Sequence, residues 1–293
     1  MKRSGWFALI AIISFSILIR TVPLYEYSLW GMDCGEYVYY THQWIETGGA
    51  YTSIDGWGKA YPFFPGMFIL GGAFSLLSGA DLISSVMFVP VVISGLSPLF
   101  LFLIVQKLME DWRPAILSAF FFAGLPPVIY SYSQPKPETL GFFLLTFILA
   151  LNVTLLRKNR KAVVPMSIGV IALIITHHFS TYFLLLMLLG GVFISRFWRR
   201  EEWPLDKQRT FLFLFFSVFT LTYWLYFATP FAENRVKGAL LFPSYFIVVV
   251  PFASILFIEL LVRFRRRYDI SMPINVHKQE MKSFLLLFTA VLL

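Results

Sequence analysis

The sequence predicts an all-α, polytopic transmembrane helix bundle whose first outer loop, residues 20–81, carries interfacial and re-entrant helices. Three observations lead there. Of 293 residues, 58% are hydrophobic and 14% charged, with a mean hydropathy of +0.73, against roughly 45–50% apolar residues in soluble domains. Apolar runs alternate with short basic clusters along the chain, as membrane spans alternate with their orientation signals. Between the first two apolar regions, residues 31–65 gather Asp33, Glu36, Glu46 and Asp55 beside Tyr37, Tyr39, Tyr40, Tyr51 and Tyr61, with little basic charge to pair them. A mere tether between helices needs no such content, so this segment reads as a binding surface at the membrane face.

The N-terminal run MKRSGWFALIAIISFSILIR has the charged and apolar regions of a signal peptide but lacks a small-residue cleavage site, so it is expected to be a retained first helix. The next apolar stretch, YPFFPGMFILGGAFSLLSG at 61–79, is short for a span and is weakened by two prolines and four glycines. Charge decides its fate. If it stays half-embedded on the outer face, the later spans fall at 82–106, 115–130, 140–156, 163–176, 182–195, 211–228 and 241–261. Nineteen of the 24 Lys and Arg residues then lie inside, leaving only Arg20, Lys59, Lys136, Arg235 and Lys237 outside. A spanning 61–79 would reverse that ratio and break the positive-inside rule. The chain therefore reads as a multi-pass integral protein of the cell membrane with a cytoplasmic N-terminus, one transmembrane domain over 1–293. It stops within MKSFLLLFTAVLL, which predicts a fragment of a longer protein.

The net charge of +8 raises nucleic acid as a partner, but the basic residues flank apolar blocks and form no basic stripe interleaved with aromatics. Nucleic-acid binding is not expected. The single cysteine, Cys34, excludes an internal disulfide and any multi-cysteine metal site.

On this topology the candidate chemistry shares one face. In MDCGEYVYY, Asp33 and Glu36 stand three residues apart, and on an interfacial helix they share a side with Tyr37 and Tyr40. Such a pair can bind a divalent cation or provide a general base, or it can be a solvated acidic turn. The next outer turn, YSYSQPKPETLG, brings Glu138 to the start of a helix, where it suits either a ligand or a cap at the positive end of the helix dipole. Pro135 and Pro137 stiffen that turn. The third element, ITHHFSTYF, places His177 and His178 in a break. Fourteen residues, 163–176, precede it and climb only about 21 Å of a core roughly 30 Å thick. Irregular backbone at such depth lines a cavity or is buried in protein.

A first helix, an outer loop opening on Asp with a tyrosine-rich amphipathic segment (MDCGEYVYYTHQWIETGGAY), an aromatic-proline re-entrant segment (YPFFPGMFILGGAFSLLSG) and an acid in the next outer turn resemble the GT-C superfamily. These are membrane glycosyltransferases, among them oligosaccharyltransferase subunits, protein O-mannosyltransferases and aminoarabinose transferases. The resemblance covers about the first two hundred residues. It implies a polyprenyl-phosphate-linked sugar donor, a lipid, glycan or protein acceptor, transfer at the outer membrane face, and often a divalent cation, Mg or Mn, held by acids of the first two outer loops. By position, Asp33 corresponds to the catalytic acid of the first outer loop and Glu138 to the acidic position of the second; taken with the residues above, Asp33 and Glu36 become the candidate catalytic pair, and Asp33, Glu138 and His178 the candidate metal ligands. Tyr37, Tyr40, Tyr61, Lys136, His177 and His178 become substrate contacts. Two departures stand out: the second loop has one acid where oligosaccharyltransferases carry a D-x-D or D-x-H motif, and no large C-terminal acceptor domain is present. A transporter or flippase of a lipid-linked substrate is the competing class, and a non-catalytic truncated subunit a third. Broken helices suit transport, but no inverted repeat is present and the acids lie outside the spans.

Overall fold

The computed structural model describes residues 3–49, 61–154, 162–198, 203–228 and 246–267. Among the described residues the regular elements are helical and no strand occurs. They fall into two compact units, one closing at His177 and one opening at His178. Three segments, 4–26, 82–109 and 137–154, are long and apolar enough to cross a membrane, and a bent helix pair makes a fourth if counted as one span.

The first unit begins with α1 (Arg3–Glu26), apolar apart from Arg20 and its two ends. A short link leads to α2 (Cys34–Thr47), which stops where Gly48 turns left-handed and returns its N–H to the Trp44 carbonyl. Helix α3 (Gly66–Ser78) rises about 20 Å over 13 residues, less than a hydrocarbon core. Asp81 then caps α4 (Leu82–Ser94), its carboxylate accepting from Ser84 N at 2.8 Å. The expected span at 82–106 lies within one candidate span, 82–109, in which α4 passes through a turn at Gly95 and Leu96 into α5 (Ser97–Met109), with Pro98 near its start. Asp111 caps α6 (Trp112–Gly124) through Arg113 N.

The expected straight span at 115–130 is corrected. It bends by 61° into α7 (Pro126–Tyr132). The cause is local: Pro126 and Pro127 follow Leu125, and a residue before proline is forced out of the helical region, here to φ −67°, ψ 122°. Next come α8 (Pro137–Thr154) and α9 (Val163–Thr176). The expected turn at 177–181 contracts to one residue. His177 is extended at φ −152°, ψ 112°, and α10 (His178–Trp198) starts directly after it.

Small side chains set the packing of the first unit. Ala115, Ala119 and Ala123 recur every four residues and lie fully buried in one cluster with Leu9, Ile12, Phe102 and Val105, the small-residue interface that helices use when lipid competes for every apolar surface. A second cluster joins Tyr37 and Tyr40 of α2, Met67 and Phe68 of α3, and Val86 and Val91 of α4. Truncating a buried aromatic such as Phe68 costs roughly 3–5 kcal/mol. The second unit consists of α10, α11 (Trp203–Tyr226) and α12 (Phe246–Arg267), packed on one another.

Candidate functional site

The link from α1 to α2 lies directly on the turn between α7 and α8. Trp30 Nε1 donates to Ser133 Oγ at 3.1 Å. Gly31, at φ 109°, passes so close that a Cβ there would sit 3.1 Å from both Cβ and Cγ of the buried Gln134. Loop and turn thus form one surface. The Cys34 thiol donates to the Trp30 carbonyl at 2.8 Å, and burial pushes it up to about 11, which rules it out as a thiolate nucleophile near neutral pH.

Asp33 stands at the cap position of α2 but does not cap it. Its backbone is left-handed, at φ 60°, ψ 12°, and its carboxylate makes no bond to the first turn. Asp tolerates this conformation better than most residues. The Tyr61 hydroxyl instead donates to Oδ2 at 2.8 Å. Tyr61 has one hydrogen, which Asp33 receives, so the Tyr37 hydroxyl, 3.3 Å away, is the donor to Tyr61. A relay Tyr37 to Tyr61 to Asp33 results. Burial above all, and then their mutual hydrogen bond for Tyr37, pushes that phenol well above its ordinary value; burial likewise raises Tyr61, so both stay protonated donors. Their rings are held edge-on at 5.2 Å, and Phe68 stacks on the buried Tyr40 at 5.5 Å.

Glu36 lies in the first turn of α2. One carboxylate oxygen is enclosed and meets no partner, and burial, followed by the charge of Asp33, raises its pKa. The two neighbouring carboxyl groups therefore differ in environment, the condition that lets one site hold an acid and a base.

From the other side comes Glu138, in the first turn of α8, half exposed, with Oε1 3.9 Å from His177 Nε2. Burial, and next to it Lys136, pushes His177 down to about 4. The imidazole is neutral near pH 7, so its approach to Glu138 is not an ion pair, and it cannot supply the positive charge a phosphate needs. The break itself is held against α3: a Cβ on Gly66 would fall 2.1 Å from Thr176 Oγ1 and 3.0 Å from Thr176 Cα. Tyr37 ties the two sides together, since the charges of both Glu138 and Asp33 raise its phenol.

Of the residues expected from sequence, Asp33, Glu36, Tyr37, Tyr40, Tyr61, Lys136, Glu138 and His177 all belong to the first unit. His178 opens the second, its ring edge-on to Phe179 at 6.5 Å. Among the described residues no three His, Cys, Asp or Glu side chains group as metal ligands. Two carboxylates, one already bonded to Tyr61, do not make a closed cation site. The residues that join the loop to the turn, Trp30, Ser133 and Gln134, leave no sequence signal. Arg20 does leave one: it is a charge inside an apolar helix. No family model and no curated protein matches the chain.

Proposed function

We propose that this protein is a membrane glycosyltransferase of the GT-C type, moving a sugar from a polyprenyl-phosphate-linked donor to a lipid, glycan or protein acceptor at the outer membrane face. The observation that carries the reading is the state of Asp33. It stands at the cap position of α2, yet its carboxylate is withheld from capping and bonded to a tyrosine relay beside the turn that bears Glu138. On the orientation that keeps all but five of the 24 Lys and Arg residues inside, this end of the first unit faces outward.

The chemistry follows from these groups. The acceptor hydroxyl or amide gives its proton to Asp33 as its oxygen or nitrogen attacks the anomeric carbon. The bond from that carbon to the donor phosphate oxygen breaks, and the electron pair leaves with the lipid phosphate. Tyr61 fixes the carboxylate for this task, and Tyr37 fixes Tyr61. Purified protein given a polyprenyl-phosphate sugar and an acceptor should release the lipid phosphate, read by thin-layer chromatography. A flippase would leave the donor intact, and an unchanged donor across acceptor classes would reject the reading.

A further inference from the structure

We propose that Arg20 is a phosphate-binding residue, receiving an oxyanion on its Nε–Nη2 edge beside the turn that joins α7 to α8. Arg20 is fully buried, six residues before the end of α1 and so about 9 Å along the helix from it. Nη1 is used: it donates to the Ser16 carbonyl at 3.0 Å and to Ser16 Oγ. Nε and Nη2 are enclosed and meet no acceptor. Those two nitrogens form one complete side of the guanidinium, the side that grips two oxygens of one anion with parallel hydrogen bonds. The two unused donors therefore lie together on one edge of the guanidinium.

The surroundings favour an anion. The Phe122 ring lies 5.6 Å from Cζ, which supports the cation without quenching it. Tyr132 is an electrostatic neighbour of Arg20 and also of Glu138, so the cation stands one residue away from the candidate site. Among the described residues no carboxylate pairs with Arg20. Arginine does not shed its proton inside proteins, so a buried, unpaired guanidinium is costly unless a ligand completes it. Buried and unpartnered charge in a membrane helix marks a functional position. The guanidinium is fully enclosed in this conformation, so an anion reaches it only with a local opening of its surroundings.

The existence of the phosphate site rests on the Arg20 geometry, while its assignment to the donor phosphate rests on the transferase reading. With His177 neutral, that reading has Lys136 as the cation in the turn that bears Glu138, and Arg20 adds a buried one with two free donors on one edge. The test uses the full chain in detergent and three probes: undecaprenyl phosphate, phosphatidylglycerol and inorganic phosphate, each titrated against the thermal midpoint. Arg20→Met should be at least as stable as wild type without ligand, because it removes an unpaired buried charge, and should bind tenfold or more weakly. Arg20→Lys, which keeps the charge but not the fork, should fall between them. The probe whose binding is lost names the source, lipid-linked donor, phospholipid headgroup or free phosphate. A lowered midpoint for ligand-free Arg20→Met would show an internal partner and overturn the proposal, as would equal binding by wild type and Arg20→Met. Loss of binding in a protein that transfers no sugar leaves the Arg20 site standing and removes the transferase reading; transfer and binding both retained in Arg20→Met do the reverse.

Discussion

At Asp33 the backbone and the side chain make separate demands, and one substitution tells them apart. Asparagine is as tolerant of the left-handed region as aspartate and still accepts a hydrogen bond from Tyr61, so Asp33→Asn should fold with a midpoint close to wild type. It cannot take a proton. Turnover in the transfer assay should fall at least tenfold, about 1.4 kcal/mol or more of transition-state stabilisation. Smaller losses would mean that Asp33 is no base. Glu36 makes the companion case. Its folded pKa is raised above 4.5 by burial and then by Asp33, so the folded chain holds that proton more tightly than the unfolded one. Stability therefore declines as pH climbs from about 4.5 through the folded value, and the penalty persists above it. Glu36→Gln should unfold at a higher temperature than wild type at pH 7, with the gap closing at pH 4. A variant less stable than wild type at pH 7 contradicts this reading of its enclosed oxygen.

At the scale of elements, the joint between α3 and α9 admits no side chain. A methyl on Gly66 would meet the backbone of Thr176 at 3.0 Å, which a rotamer change cannot relieve. Gly66→Ala should cost roughly 1–3 kcal/mol, the usual range for overpacking, and should displace the His177 break that α9 carries. Chemical denaturation measures the first effect, and the transfer assay the second. Unchanged stability would mean that α3 yields freely. This joint also shows what sequence can and cannot tell. The helix at 163–176 was legible to the residue, because its apolar run ends on a His-His pair. The Asp33 region was legible through its acids and tyrosines. The 61° bend was signalled by Pro126 and Pro127, yet an apolar run through them reads as one span, whereas 82–106 was read as a span and lies within 82–109, which is one by length and apolarity. Contacts such as Trp30 with Ser133, or Gly66 with Thr176, join residues far apart in sequence and leave no local pattern.

For the whole molecule, the positive-inside rule is the argument for which end of the first unit meets which compartment. Asp33, Tyr61, Glu138 and His177 cluster where α2, α3, α8 and α9 meet, so a single orientation decides whether the site sees the outside or the cytoplasm. The count of basic residues favours the outside, and Lys136 sits in the turn that carries Glu138, two residues before it. Lys158 belongs to the basic cluster that follows α8 in the sequence and lies outside the described residues. With the buried Cys34 replaced by alanine, a cysteine introduced by Lys136→Cys should react with a membrane-impermeant maleimide added to intact cells, whereas Lys158→Cys should react only after permeabilisation. One helix, α8, separates the two positions, so the pair tests a single crossing and depends on no other span. Labelling of Lys158→Cys alone from outside would invert the protein, put Asp33 in the cytoplasm, and remove an outward-facing lipid-linked donor as its substrate.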